Sequence, residues 1–152
     1  MLNELLHLDQ ELFLALNFDG GAFADRLFWL ASGKLTWVPL YLLIVWLLWR
    51  RYGWKQTLVA VAFMALCVVC VDQIANFFKT FTPKFRPTHT EAIADLVHTV
   101  NGYRGGLYGT VSAHAATLFS IAVFSLALIR SRVYTVCILL WALFVSYSRI
   151  YL

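Results

Sequence analysis

Charge is what this sequence has least of. Only 13% of its 152 residues are Asp, Glu, Lys or Arg, against 61% hydrophobic, and the mean hydropathy is +0.73. A soluble globular domain carries about 25% charged residues, so a water-soluble fold is excluded. Cysteine is scarce: Cys67, Cys70 and Cys137 are the full set. Cys67 and Cys70 lie in the run MALCVVCV, which lacks the polar surroundings that redox or zinc chemistry needs, so all three read as inert, buried thiols. No carboxylate pair and no histidine cluster suggests a metal. Glu4, Asp9 and Glu11 stand where a signal peptide would have positive charge and then an unbroken apolar stretch, so no cleavable signal is evident. The net charge of +4 is not gathered into a stripe. Its basic residues sit at helix ends and in one loop, which points to topology and anion binding and excludes nucleic acid as a partner. No internal repeat or low-complexity segment is visible.

What the sequence does have is apolar length. Residues 27–49, 54–78, 112–130 and 133–152 are each long enough, or nearly so, to cross a hydrocarbon core about 30 Å thick, which takes roughly 20 helical residues. The expected fold is a single all-α domain over residues 1–152, an integral membrane helical bundle with four spans. Before it, residues 2–17 place Leu2, Leu5, Leu6, Leu8, Leu12, Phe13 and Leu16 among polar residues at amphipathic spacing, which predicts an interfacial helix. Asn17, Asp19, Gly20 and Gly21 then break it. Ser32-Gly33-Lys34 allows a kink near the start of the first span, and Pro39 is tolerable in lipid. The basic clusters at 50–55 and 130–132 fall between consecutive spans on the same side, and the positive-inside rule makes that side cytoplasmic. Several of the tryptophans Trp29, Trp37, Trp46, Trp49, Trp54 and Trp141 are explained by an interfacial aromatic belt.

One stretch is too polar and too glycine-rich for lipid. Residues 79–114 carry four of the twelve basic residues, Lys79, Lys84, Arg86 and Arg104, and three of the four histidines. Pro83 and Pro87 stop the preceding helix, residues 91–100 are expected to make a short surface helix, and Asn101-Gly102, Gly105-Gly106 and Gly109 make turns. The topology puts this stretch and the end of the fourth span on one membrane face, away from the basic clusters.

That face gathers Lys79, Arg86, the Ser112-Ala113-His114 opening of the third span, and Ser148-Arg149 near the end of the fourth. Arginine binds phosphate oxygens bidentately and lysine adds a mobile point charge. Ser112 is a good N-cap, and the free N–H groups of the turn it caps point at an anion. An imidazole has an unperturbed pKa of about 6.5, so His114 is a candidate to give or take a proton near neutral pH. The charge on a transferring phosphoryl group would be met by cations and amides alone. Asp72, His89, Arg104 and Ser148 are candidates for supporting positions around these residues.

Lys79, six residues, then Arg86-Pro87; Val111-Ser112-Ala113-His114; and Ser148-Arg149 appear in that order. Together they resemble the three motifs of the type-2 phosphatidic acid phosphatase superfamily, over residues 79–152, half the chain. The resemblance implies that Lys79, Arg86 and Arg149 hold a phosphate, that Ser112, Ala113 and the nearby backbone help, and that His114 is the general acid. It implies hydrolysis of a membrane lipid phosphate or pyrophosphate through a phosphohistidine, without metal or cofactor. Undecaprenyl pyrophosphate, phosphatidylglycerol phosphate and a lipid A phosphate are the bacterial substrates it suggests. The expected setting is the inner membrane, with the site facing the periplasm or outside.

Two features depart from the family pattern. Val111 and Ala113 stand where it has Pro and Gly. Its nucleophilic histidine would fall about three residues beyond Leu152, so the chain is expected to lack that residue and to be part of a longer enzyme. The competing reading is a catalytically inactive membrane protein that binds anionic lipid headgroups. Transport is the weakest reading, because the spans offer little ionisable chemistry beyond Asp72.

Overall fold

The computed structural model describes residues 2–152, with side chains from Glu4 onward, and is all-helical. Five α-helices appear in order: α1 (Leu2–Leu16), α2 (Gly21–Ser32), α3 (Val38–Phe81), α4 (Ala113–Ile129) and α5 (Arg132–Tyr151). The amphipathic segment forms α1 as expected, and α1 touches the end of α5 through the Tyr147 hydroxyl, which donates to Leu16 O at 2.8 Å.

The first apolar segment begins later than the sequence predicts. Residues 27–32 belong to α2, and the helical path resumes with a 3-10 turn at Leu35–Trp37 that leads into α3. Gly33 is the cause: its extended backbone (φ −69°, ψ 131°) ends α2, and a Cβ there would come within 2.8 Å of Thr36 Oγ1. The break satisfies its own backbone. Thr36 Oγ1 donates to Leu30 O at 2.6 Å and Trp37 Nε1 to Ala31 O at 2.7 Å, so two carbonyls at the end of α2 are not left open. Pro39 falls in the first turn of α3, where its missing N–H costs nothing.

The second and third elements of the prediction, residues 27–49 and 54–78, meet inside α3. Its 44 residues are interrupted at Gly53, whose φ of 77° and ψ of 170° lie in a region essentially reserved for glycine. Beside this kink Arg51 donates to Ile129 O and Tyr52 to Leu128 O, at 2.6 Å for the tyrosine. Both contacts satisfy carbonyls at the C-terminus of α4 and put a cation on the negative end of its dipole. The two basic clusters therefore share one end of the molecule. Lys79, the start of α4 and Arg149 lie at the other.

Between these ends runs a core of Ile44, Leu48, Leu118, Ala122, Ile129, Ile138, Trp141, Ala142 and Val145, contributed by α3, α4 and α5. Ala122, Ser125 and Ala142 are wholly buried, and residues this small let helices approach closely where no water drives them together. The outer surface is apolar: Leu42, Leu58, Val59, Phe63, Leu66, Leu140 and Leu143 are each more than half exposed. A surface of this kind suits lipid and not water. Leu35–Phe81 and Arg132–Tyr151 are long and apolar enough to cross a membrane, and Ala113–Ile129 is a shorter apolar helix. Cys70 and Cys137 belong to this outer surface, so the expectation of buried thiols fails for both; Cys67 is half-buried.

The expected surface helix at residues 91–100 is also absent. Three 3-10 turns stand in the loop instead, Pro87–His89, Ala94–Leu96 and Val100–Gly102. The segment anchors only Ile93 and Val100 against the bundle, too few apolar contacts at helical spacing to pay for a longer helix. Asn101 and Gly102, at φ 54° and 68°, end the last turn.

Asn17 fastens this loop to the bundle. It is buried, its Oδ1 accepts from His98 N at 2.7 Å, and its Nδ2 faces His98 O, Ile150 O and Tyr151 O at 2.9 to 3.2 Å. Next to it Asp25 Oδ1 accepts from the Tyr151 hydroxyl at 2.7 Å and lies 3.0 Å from His98 Nε2, while Gly20 N donates to the same tyrosine oxygen at 3.1 Å. The N-terminal helices, the loop and the end of α5 are thus joined by one polar clasp.

Candidate active site

Arg86 is held in a slot that glycine makes possible. Residues 84–86 and 107–109 pair in an antiparallel bridge, with Arg86 N donating to Leu107 O at 3.0 Å and Gly109 N to Lys84 O at 2.9 Å. The Phe85 and Tyr108 rings flank the pairing, 5.6 Å apart. The arginine side chain passes over Gly105 and Gly109, and its Nε donates to Tyr108 O at 3.2 Å. A Cβ at Gly105 would come within 2.2 Å of Arg86 Nη1, and one at Gly109 within 2.6 Å of Arg86 Cγ. Gly105 also has φ 65°. These glycines look like turn residues in the sequence, but they also leave room for the guanidinium.

Lys79, in the last turn of α3, lines the same groove as Arg86. The groove has a volume of about 450 Å³ and is completed by Thr80, Pro83, Gly106, Leu107 and Tyr108. Beside it Lys84 is spent on an exposed ion pair with Asp9 of α1 (2.8 Å).

Ser112 caps α4: its Oγ accepts from Ala115 N at 3.2 Å. The N–H groups of Ala113 and His114, in the first turn, have no acceptor within the helix. The imidazole of His114 is half-buried, and its Nε2 is buried without a hydrogen-bond partner among the described residues.

Arg149 is clamped on two sides. Its Nη1 donates to Ser32 Oγ and its Nη2 to Tyr103 Oη, both at 2.8 Å, and its guanidinium carbon lies 5.3 Å from the Tyr103 ring centroid. The hydrogen bond from Arg149 holds the Tyr103 hydroxyl below the usual tyrosine range, against a smaller effect of burial, and the charge of Arg86 acts in the same direction. Tyr103 thus holds Arg149 through both its ring and its hydroxyl. Lys79 and Arg86 share the groove, whereas His114 and Arg149 lie outside its lining.

The supporting candidates are placed differently. Asp72 accepts from Asn76 Nδ2 at 3.1 Å, one turn along its own helix. His89 Nδ1 is 3.0 Å from Thr88 Oγ1, and Arg104 offers its carbonyl to the same hydroxyl at 2.8 Å. Ser148 is wholly buried and donates to Val145 O at 2.6 Å. Ser32 and Tyr103 were not singled out for the site by sequence reasoning. Their only signal was position: a break in an apolar segment and an aromatic residue between two glycine turns. Among the described residues one group has metal-ligand spacing, Asp19, Asp25 and His98, with side-chain atoms within 4.8 Å of one another. Asp25 and His98 already spend those atoms on the clasp.

An apolar bundle bearing Lys, two Arg and a histidine at one end, with a helix N-terminus among them, defines a helical membrane protein with a cationic end. The chain belongs to the PAP2 superfamily, a phosphatase family, whose sequence profile matches residues 56–152. The whole chain is 39% identical to a lipid A 4'-phosphatase of Bacteroides thetaiotaomicron, of which it spans 68%. Over 97% of its length it is 38% identical to a lipid A 4'-phosphatase of Porphyromonas gingivalis, of which it spans 63%. No solved structure is significantly similar.

Proposed function

We propose that this chain is a membrane-embedded domain of a lipid phosphatase that removes the 4'-phosphate from a lipid A-type glycolipid. The observation that carries the reading is the shared groove of Lys79 and Arg86, about 450 Å³ in volume, at the end of the molecule where His114 and Arg149 also emerge. Its substrate class follows the names of the two relatives. A second open groove of about 550 Å³ runs along α3 past Ile74, Phe77 and Phe81 and shares Thr80 with the first. That continuity suits a substrate whose acyl chains stay in the bilayer while its phosphate reaches the cations.

In this proposal α3 crosses the membrane twice, reversing at Gly53, and α4 and α5 complete four spans. The clusters at 50–55 and 130–132 face the cytoplasm, and the site faces the opposite side of a bacterial inner membrane. Lys79, Arg86 and Arg149 neutralise the phosphoryl oxygens, with the first-turn N–H groups of α4 adding donors. The resemblance assigns the nucleophile to the histidine of the third motif, the motif that opens here with Ser148-Arg149. Its attack on phosphorus forms a phosphohistidine and breaks the bond to the sugar oxygen, which takes its proton from His114. Water then cleaves the phosphohistidine and releases inorganic phosphate.

The test is phosphate release from lipid A in detergent micelles, using the product of the whole gene, with undecaprenyl pyrophosphate and phosphatidylglycerol phosphate as competitors. The expected result is release from lipid A that His114→Ala or Arg149→Ala abolishes. Turnover of another lipid alone would move the substrate and keep the chemistry. Binding of lipid A without any turnover would favour the headgroup-binding reading.

A further inference from the structure

We propose that α2 is a positioning element of the phosphate site: one of its faces docks on α5 and ends at Trp29 and Ser32, which hold Tyr103 and Arg149 in place for the phosphate. This inference rests on the phosphatase reading and deepens it. The helix lies outside the segment matched by the family profile, and neither Trp29 nor Ser32 belongs to the motifs that carry the resemblance.

Asp25, Phe28, Trp29 and Ser32 recur at helical spacing, so α2 presents them along one side. Each of them has a partner. Asp25 Oδ1 accepts from the Tyr151 hydroxyl at 2.7 Å. The Phe28 ring packs against three rings of α5, with centroids 4.4 Å from Tyr151, 5.3 Å from Tyr147 and 5.7 Å from Phe144. Trp29 meets the Tyr103 ring edge-on, the centroids 6.2 Å apart. Ser32 Oγ accepts from Arg149 Nη1 at 2.8 Å, joining the last residue of α2 to a side chain 117 residues away. The first two residues fix the helix on α5, and the last two reach the site from that fixed position.

Their contacts converge on Arg149. Its Nη2 donates to Tyr103 Oη at 2.8 Å, and its guanidinium carbon lies 5.3 Å from the centroid of the ring that Trp29 braces. A guanidinium has five N–H groups; Ser32 and Tyr103 engage one each, on different nitrogens, which leaves three for a ligand. Bonds at both outer nitrogens, with a ring against the plane, leave the group little freedom to turn. Both bonds go to hydroxyls and neither to a carboxylate, so the arginine is fixed without its charge being cancelled. An arginine ordered on folding does not lose that freedom again when the phosphate arrives. Arg86 is held differently, in its slot over Gly105 and Gly109, so the two arginines depend on separate parts of the chain.

The experiment compares wild type with Ser32→Ala, Ser32→Thr, Trp29→Leu and Trp29→Phe in the whole gene product in detergent. It reads kcat and KM for lipid A, the melting temperature, and binding of orthovanadate by thermal shift, which needs no turnover. Ser32→Ala is expected to lower kcat and weaken orthovanadate about tenfold, the scale of one hydrogen bond to a charged group. KM should stay within about twofold of wild type, because a misaimed Arg149 fails the transition state first. Ser32→Thr keeps the hydroxyl and should recover most of both losses. Trp29→Leu is expected to lower kcat about threefold, the scale of one aromatic pair, and Trp29→Phe to recover it. Wild-type kcat and orthovanadate affinity in either Ser32→Ala or Trp29→Leu would overturn the inference, as would a loss that the conservative variant does not recover. If His114→Ala and Arg149→Ala abolish turnover while the α2 variants are silent, only this inference falls. If those two variants also turn over lipid A normally, the phosphatase reading falls with it.

Discussion

The guanidinium of Arg149 sits against the ring of Tyr103, 5.3 Å from its centroid, and donates to the phenol oxygen of the same residue at 2.8 Å. One tyrosine thus meets the arginine through its face and its hydroxyl, and the pairing favours the ionised phenol. Tyr103 titrates below the ordinary value of about 10 for that reason. As pH rises through its depressed value, the tyrosinate binds Arg149 more tightly and competes with phosphate. Activity is expected to fall on the alkaline side starting below pH ~10, and Tyr103→Phe should lose that limb of the profile while keeping the ring contact. A pH profile of kcat/KM for the two proteins checks it; superimposable alkaline limbs would show that Tyr103 does not control Arg149.

Gly105→Ala and Gly109→Ala are expected to damage phosphate binding far more than folding. Each new Cβ enters the path of the Arg86 side chain, and at Gly105 the left-handed backbone adds about 1–2 kcal/mol of strain. The arginine must leave its slot, so KM should rise about tenfold or more with the melting temperature lowered by only a few degrees.

Asn17→Ala should destabilise the folded protein by about 2 kcal/mol, because it leaves buried backbone groups of His98, Ile150 and Tyr151 short of a partner. Asn17→Asp should be no better at neutral pH, since a carboxylate would face those same carbonyls. Thermal unfolding in detergent distinguishes this from a replaceable turn residue, for which both variants would melt like wild type.

The acid limit of the clasp follows from Asp25. Hydrogen bonds first from Tyr151 and then from His98 lower its carboxyl below the ordinary range, against a smaller effect of burial. A carboxyl depressed in the folded state adds stability above its unfolded value of about 3.9 and loses it as pH falls through the lower folded value. Wild type should therefore outlast Asp25→Asn in thermal melts from neutral pH down to about 4, and the gap should close below that. A constant gap at every pH would mean that the charge of Asp25 contributes nothing.

The grouping of the candidate site residues was more legible in the sequence than the architecture around it. Lys79, Arg86, Ser112, His114 and Arg149 carry recognisable spacing, and the structure places them at one end because apolar helices of similar length run between the two ends. What the sequence concealed were relations between distant residues. Asn17 reads locally as a helix breaker, yet its partners lie 81 to 134 residues away. Ser32-Gly33-Lys34 was legible as a place for a kink, but not that Gly33 ends one helix there or that Ser32 meets Arg149, 117 residues away. Residues 91–100 look helical by content, but only two of them are anchored in the core, and turns win. The exposure of Cys70 and Cys137 was missed because an apolar helix does not reveal which of its faces meets protein and which meets lipid.

The kink at Gly53 and the loop after α3 set the candidate site residues far apart along the chain. Lys79 lies in the last turn of α3, while His114 opens α4 and Arg149 lies in the last turn of α5. Under the proposed function a phosphate needs all of them at once. Its binding would then also gauge whether the helices have packed, and a detergent that parts them would silence the site without touching any of its side chains.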